Sequence, residues 1–228
     1  MTDHQQQVAG AIFLVGQGVN PGDLEARFRI SAGACDDIGT CVNSQVSDGL
    51  AMTFWNIRVD EIDMLWELIR AGTGSAISYQ RITEHGLERR PEGITIEFDL
   101  YPNSCPPNGF WDPVQTPHIE INFDGRFHMT PDDLTSEERC MESDPGARYP
   151  GYWTSTPQLT DNQWHDVHVS VQGTHVSVTL DEVLVVDTDI PNFMFKGGVL
   201  AFSGGSGSVP AYLRFDDLHF ESSCPDRP

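Results

Sequence analysis

The chain has 228 residues, enough for one sizeable core and short for two full domains. Hydrophobic residues make up 39% of it, so a packed domain is expected rather than a disordered chain, and no apolar run approaches the ~18 residues of a membrane-spanning helix. Asp and Glu number 34 against 13 Lys and Arg, a formal net charge of −21, which repels phosphate backbones and anionic lipid and so excludes nucleic acid and membrane insertion as expected partners.

Strand signals dominate in chain order. Val8 to Gly16 is a short apolar segment that reads as a strand. Leu24 to Ile30 alternates at period two, which predicts one buried and one wet face. Gly49 to Ile57 is a more continuous apolar strand. A helix is predicted over Asp60 to Arg70, where Ile62, Leu65, Trp66 and Ile69 share one face. Its acids cluster at the start and Arg70 stands at the end, as the helix dipole prefers. Ile94 to Tyr101 alternates again, and His118 to Phe123 follows. A short second helix is expected over Asp132 to Cys140.

The later strands are Trp164 to Val171, His175 to Leu180, Val183 to Val186, Gly198 to Phe202 and Ala211 to Phe220. Turns at Asp161-Asn162, Gln172-Gly173, Asp181-Glu182, Pro191-Asn192 and Gly204 to Ser208 separate them. Short strands joined by turns predict an all-β fold, an antiparallel sandwich or barrel with one or two short inserted helices. No repeat or linker divides residues 1–228, so a single domain is expected.

There are five cysteines and no Cys-x-x-Cys, so a zinc ribbon or thioredoxin-like site is not expected. Cys35 and Cys41 bracket a short polar loop that a disulfide could close. Cys105 with Cys140 is a second pairing, which leaves Cys224 over. Disulfides fit an oxidising compartment, although Met1 to Gln5 carries no basic or apolar targeting pattern.

The chemistry concentrates in Ile94 to Asn103. On a strand, Ile94, Ile96, Phe98 and Leu100 point to the core, while Glu97, Asp99 and Tyr101 point the other way and Asn103 continues their row. Two carboxylates about 7 Å apart on one face repel unless something neutralises them. Asp112 and His118 supply a further carboxylate and an imidazole. Ca²⁺ takes oxygen ligands, and an ion such as Mn²⁺ accepts carboxylate and imidazole together. Glu97, Asp99, Asn103, Asp112 and His118 are therefore candidates for a pair of divalent ions, against the alternative of a solvated acidic strand edge.

Glu97-Phe98-Asp99-Leu100-Tyr101-Pro102-Asn103, with Trp111-Asp112-Pro113 and Pro117-His118-Ile119, resembles the metal-binding segment of the legume (L-type, concanavalin A-like) lectins. Ser47-Asp48-Gly49-Leu50-Ala51-Met52-Thr53-Phe54 is similar to the family's Ala-Asp-Gly strand, and Ala201 to Ser208 to its late sugar-contacting loop. Trp164 through Asp181 is similar to the family's back-sheet hairpin, so the resemblance spans roughly residues 20 to 221.

This resemblance implies an antiparallel β-sandwich jelly roll that binds carbohydrate without catalysis. It implies Glu97, Asp99, Asp112 and His118 as transition-metal ligands, usually of Mn²⁺. Asp99, Asp112, Asn103 and the carbonyl of Tyr101 would be Ca²⁺ ligands. The ions would order the loop so that Asp48 and Asn103 meet sugar hydroxyls, with the Tyr101 ring near the sugar's apolar face. Gly74, from the Gly72-Thr73-Gly74 stretch, would add a backbone N–H, and Ser206 and Gly207 would come from the late loop. The Ser47–Asp48 bond would be cis. The implied partners are glycans on glycoconjugates, and the implied setting is extracellular, cell-surface or secretory. Such lectins often pair through sheet edges, which allows a homo-oligomer, although no edge strand identifies itself in the sequence.

The Ser104 to Trp111 connection is longer than is usual in the plant proteins, the Asp60 helix is an insertion, the cysteines are not a plant-lectin feature, and Asp124 to Tyr152 matches no segment of the family. Two rival readings stand beside the lectin. A glucanase on the same jelly roll would need a second Glu after Glu97-x-Asp99, where Leu100, Tyr101 and Pro102 stand instead. A laminin-G-like adhesive module would use its metal structurally, and Asp48 separates that reading from a sugar lectin.

Overall fold

The computed structural model describes residues 8–19, 23–39, 46, 48–57, 82–84, 87–89, 93–101, 117–123, 151–190, 193, 198–206, 209 and 211–222. The early strands are β1 (Val8–Val19), β2 (Leu24–Gly33), β3 (Gly49–Trp55), β4 (Ile82–Glu84), β5 (Leu87–Arg89), β6 (Gly93–Asp99) and β7 (His118–Phe123). Then come β8 (Trp153–Ser155), β9 (His165–Gln172), β10 (His175–Leu180), β11 (Val183–Asp189), β12 (Gly198–Ser206) and β13 (Tyr212–Ser222). A six-stranded sheet runs β1-β12-β3-β6-β7-β8, a five-stranded sheet runs β11-β10-β9-β2-β13, and β4-β5 form a small hairpin. All the pairings are antiparallel.

Period-two alternation decides which residues face between the sheets. In the five-stranded sheet, β2 contributes Leu24, Ala26, Phe28 and Ile30, β9 contributes Val167, Val169 and Val171, and β10 contributes Val176, Val178 and Leu180. Their partners from the six-stranded sheet are Leu50, Met52 and Phe54 of β3, Ile94, Ile96 and Phe98 of β6, and Ile119 and Ile121 of β7. Register aligns these rows: Leu50 and Ile119 flank Phe98, and Met52 and Ile121 flank Ile96. An aromatic cluster joins the layers. Phe28 meets Phe98, Phe202 and Phe215 at ring separations of 6.0, 5.1 and 5.9 Å, in the edge-on or tilted geometries that aromatic pairs prefer.

The two sheets close along β8 and β11. Tyr152 donates its hydroxyl to the Asp189 carbonyl at 2.8 Å, and Thr154 Oγ1 donates to the carbonyl of Val185. Side chains of one edge strand thus bond backbone groups of the other. At the opposite edge β13 is broken by a bulge between Asp216 and His219, with Asp217 at φ +51°, a device that twists an edge away from further pairing.

Expected strand bounds hold closely for β7 and β10, while β1 and β12 run longer than the sequence suggested. The turn read over Gly204 to Ser208 does not hold for Gly204 to Ser206, which continue β12, while Gly207 and Ser208 lie outside the described residues. Glycines make this possible: a Cβ on Gly204 would stand 3.1 Å from Leu50 Cδ2 and 3.4 Å from Leu213 Cδ1, so the strand threads a space that has little room for side chains. The helices expected over Asp60 to Arg70 and Asp132 to Cys140 lie outside the described residues. Among the described residues the helical element is a 3-10 turn, Pro157–Thr160, which the sequence reading did not anticipate.

Candidate functional site

Several strand ends converge at one end of the sandwich. The chain leaves β2 at Gly33 and enters β3 at Gly49, leaves β6 at Asp99 and enters β7 at His118, and leaves β12 at Ser206 and enters β13 at Tyr212. Between β8 and β9 it crosses from one sheet to the other through the 3-10 turn, held by Thr156 N–H to the Pro117 carbonyl at 2.8 Å. Register then fixes a row at this end: Gly205, Gly49, Asp99, His118 and Ser155 lie side by side across five strands. The next row holds Ser203, Ala51, Glu97 and Glu120, and the one below it Thr53, Thr95 and Asn122.

These rows form the face of the six-stranded sheet turned away from the apolar core, and it is buried too. Glu97, Asp99, His118, Glu120 and Asn122 are each no more than 3% exposed. The alternative of a solvated acidic edge therefore does not describe this segment, because β6 is an interior strand between β3 and β7. Asn122 Nδ2 donates to Glu97 Oε2 at 2.6 Å and to Glu120 Oε1 at 2.5 Å. His118 Nε2 lies 3.7 Å from Glu120 Oε2. Thr53 and Thr95 share a hydroxyl hydrogen bond of 3.1 Å.

Of the six expected metal ligands, Glu97, Asp99 and His118 share this buried face. Tyr101 follows two residues after β6, half-buried, with its N–H on Asp99 Oδ1 at 2.9 Å. Asn103 and Asp112 lie outside the described residues. Among the described residues no three His, Cys, Asp or Glu groups meet at metal-holding geometry. The donor set itself fits: buried carboxylate oxygens beside an imidazole are what a Ca²⁺ or Mn²⁺ ion takes.

Of the expected sugar-contacting residues, Asp48 opens β3 with φ +34° and 7% exposure. Its carbonyl accepts the Leu100 N–H at 2.7 Å, which ties it to the end of β6. Ser206 closes β12 fully buried. Gly74, Gly207 and Ser47, and with Ser47 the expected cis bond, lie outside the described residues. Glu120 and Asn122 were not singled out from sequence, although the alternation His118-Ile119-Glu120-Ile121-Asn122 carries the signal.

Two buried groups hold this end together. Asn162, fully buried at φ +60°, donates its N–H to the Ala32 carbonyl (3.1 Å) and its Nδ2 to the Asp37 carbonyl (2.7 Å). Arg214 donates to Asn162 Oδ1 (3.2 Å) and to the carbonyls of Cys35 (3.0 Å) and Asp36 (2.8 Å). The chain after β2, with the disulfide-bonded Cys35, is thereby fastened to the 3-10 crossing. Cys41, its expected partner, lies outside the described residues. Gly33 is required here, since a Cβ would fall 2.1 Å from Asn162 Oδ1.

His165 is the second group. Its Nδ1 lies 2.7 Å from Asp181 Oδ2 and its Nε2 3.0 Å from Asp161 Oδ1. Burial pushes its pKa down, but the two aspartates outweigh burial and raise it above the ordinary 6.5. A raised folded-state pKa stabilises fully below the unfolded value and is lost as pH rises through the folded one. Thermal melts from about pH 6 to about pH 8.5 are therefore expected to show a loss of stability that His165→Gln lacks. A parallel pH profile in the two proteins would contradict this role.

A separate shallow cavity of about 390 Å³ lies over the outer face of the five-stranded sheet, lined in part by Arg27, Arg29, Asp166 and His168. Arg29 is engaged there by Asp217 at 3.1 Å and stacks over Trp164 at 5.0 Å. Glu25 sits beside it: burial pushes its carboxyl up, but hydrogen bonds from Ser170 and His168 outweigh that and leave its pKa below the ordinary value.

A laminin G domain profile matches residues 116–214. No curated protein matches the sequence significantly. Solved structures do match. The VIP36 exoplasmic/lumenal domain in its Ca²⁺/Man-bound form aligns with a TM-score of 0.60 at 14% identity, over 99% of this chain and 78% of that one. A legume lectin-like domain from Entamoeba histolytica aligns at 0.55 and 12% identity, over 97% and 82%. The Emp47p carbohydrate recognition domain gives 0.55 and 12%, over 96% and 80%. The chain has the legume-lectin-like fold. In this L-type sandwich the buried Glu97–Asp99–His118 face belongs to the six-stranded sheet, and the laminin G match runs from the approach to β7 into β13, through strands of both sheets.

Proposed function

We propose that the chain is a non-catalytic, metal-dependent glycan-binding domain. The observation that carries this is the row Gly49–Asp99–His118, which brings Asp48 at the mouth of β3 beside buried carboxylate and imidazole donors on β6 and β7. Glu97, Asp99, Asp112 and His118 would hold a transition ion such as Mn²⁺. Asp99, Asp112, Asn103 and the Tyr101 carbonyl would hold Ca²⁺. The ions supply fixed positive charge that orders the loops and take no part in bond breaking. Asp48 and Asn103 then offer polar groups to sugar hydroxyls, Tyr101 offers its ring, and Gly74, Ser206 and Gly207 complete the rim. VIP36 structures carry mannose, Man2 or Man3GlcNAc with Ca²⁺, so mannose-type glycans are the first ligands to try. The VIP36 domain is exoplasmic/lumenal, which supports a secretory or extracellular setting for this chain as well.

Removing the metal tests this reading. A ligand present at about 100 times its Kd adds about 2.7 kcal/mol of stability. At about 2–4 °C per kcal/mol for a chain of this size, EDTA should lower the melting temperature by about 5–10 °C, and added Ca²⁺ with Mn²⁺ should restore it. An unchanged melt would contradict metal binding. The laminin G match favours one second reading, an adhesive module with structural metal. It predicts the same EDTA shift but no glycan binding.

A further inference from the structure

We propose that a slot between the edges of the two sheets binds a small apolar amine, with its tail among phenylalanine rings and its ammonium at Asp216. The slot is built from β1, β2, β12 and β13 and includes none of the metal or sugar ligands proposed above. Register shows how it arises. Ile12, Phe202, Met52, Ile96 and Ile121 form one row across the six-stranded sheet, and directly opposed residues share a face. The last four are at most 3% exposed, whereas Ile12 on the edge strand β1 is 54% exposed. The row therefore runs past the cover that the five-stranded sheet provides. The edge of that sheet, β13, has its bulge between Asp216 and His219, where Leu218 is 40% exposed.

A cavity of about 250 Å³ opens between Ile12 and Leu218, with Phe28, Phe202 and Phe215 as its walls. Single exposed aliphatic side chains are ordinary, but here two of them rim a concave site walled by three rings. Such walls offer water few hydrogen-bond partners, so an apolar group displaces it favourably. The volume is below the ~300–1,000 Å³ of sites for drug-sized molecules, which limits the occupant to a short alkyl chain or one ring. Charge selects among these. Asp216 stands exposed at the mouth, and its Oδ1 accepts the Asp217 N–H at 2.9 Å, which holds the carboxylate in place. Arg29 is the neighbouring cation, and it is engaged by Asp217 at 3.1 Å and Asp166 at 3.7 Å. Among the described residues no cation forms an ion pair with Asp216. The net charge of −21 adds to the negative potential there, so an ammonium is favoured over a neutral head group and a carboxylate is disfavoured.

The test titrates the full chain, ¹³C-labelled at Ile and Leu methyls, with n-hexylammonium in low-salt buffer containing EDTA and no glycan, and follows the methyl resonances by NMR. EDTA keeps the result independent of metal binding. Saturable shifts are expected at the Ile12 and Leu218 methyls. Ethylammonium, four methylenes shorter, should bind at least about 10-fold more weakly, because the tail supplies the affinity. The neutral 1-hexanol should bind about 3-fold more weakly and hexanoate about 10-fold more weakly. Asp216→Asn, which keeps the acceptor for the Asp217 N–H, should bring hexylammonium to the level of the alcohol. Ile12→Trp and Leu218→Trp, each at an exposed lip, should each weaken the amine at least about 10-fold by filling the slot, with the melting temperature kept. Unmoved Ile12 and Leu218 methyls would overturn the proposal, as would undiminished binding in both tryptophan variants. Hexanoate binding as tightly as hexylammonium would overturn the choice of an amine. If a second copy of the chain covered the slot, these methyls would shift with protein concentration and not with amine, which would overturn it too.

Discussion

Asp48→Ala is expected to abolish glycan binding, by at least about 100-fold, while metal uptake and fold persist. Truncating a hydrogen-bonded, nearly buried charge at a binding site typically costs about 2–5 kcal/mol. Asp48 is 7% exposed and is anchored through its backbone, whose carbonyl receives the Leu100 N–H at 2.7 Å. That bond survives truncation, so the variant removes the sugar acceptor and leaves the strand entry in place. The one structural cost is at φ +34°, where an alanine carries about 1 kcal/mol of strain. Asp48→Asn separates the two effects, because asparagine tolerates this backbone region and lacks the charge. Glycan titrations on both variants, with melts and metal content measured alongside, check the outcome. Glycan binding retained by Asp48→Ala would place the pocket elsewhere on the sandwich.

Phe28→Ala is expected to produce the largest loss of stability, about 3–5 kcal/mol. Phe28 carries aromatic contact across both sheets, touching Phe98 and Phe202 of one and Phe215 of the other. Phe202 and Phe215 also touch each other at 4.7 Å, so the cavity left behind is bounded by rings that already pack together and collapse poorly into it. At this chain length the loss corresponds to a melting temperature roughly 10 °C lower. Phe28→Leu should cost less, since it keeps part of the buried volume. A melt unchanged by Phe28→Ala would contradict the packing described for the core.

Much of the sandwich was legible because alternation is a local property. His118–Phe123 and His175–Leu180 have the bounds read from sequence, and β9 begins one residue later and ends one residue later than expected. The length of β12 was not legible, because Gly204 and Gly205 read as a turn when taken alone. Only their neighbours Leu50, Gly49 and Leu213 show that small residues are needed there. The 3-10 turn after β8 was missed for a similar reason. Its place is set by contacts to Pro117 and Ala32, both distant in sequence.

At the site, Glu97, Asp99 and His118 were legible as one face because strand geometry alone puts them there. Their burial was not, since it depends on what covers that face of the folded sheet and not on the strand's own pattern. His165 read as an ordinary strand residue. Its partners Asp161 and Asp181 are brought together by the crossing before β9 and by the β10–β11 turn, where Asp181 and Glu182 take φ +50° and +66°. No periodicity within a single strand announces that arrangement.

Metal and sugar binding are expected to be coupled at the end of the sandwich that holds Asp48, Asp99 and His118. A glycan array probed with labelled protein in Ca²⁺ and Mn²⁺, and again in excess EDTA, tests it most directly. The expected result is binding to a coherent, mannose-containing set of glycans that disappears with EDTA. Binding to no glycan in either buffer, or binding that EDTA leaves unchanged, would contradict it.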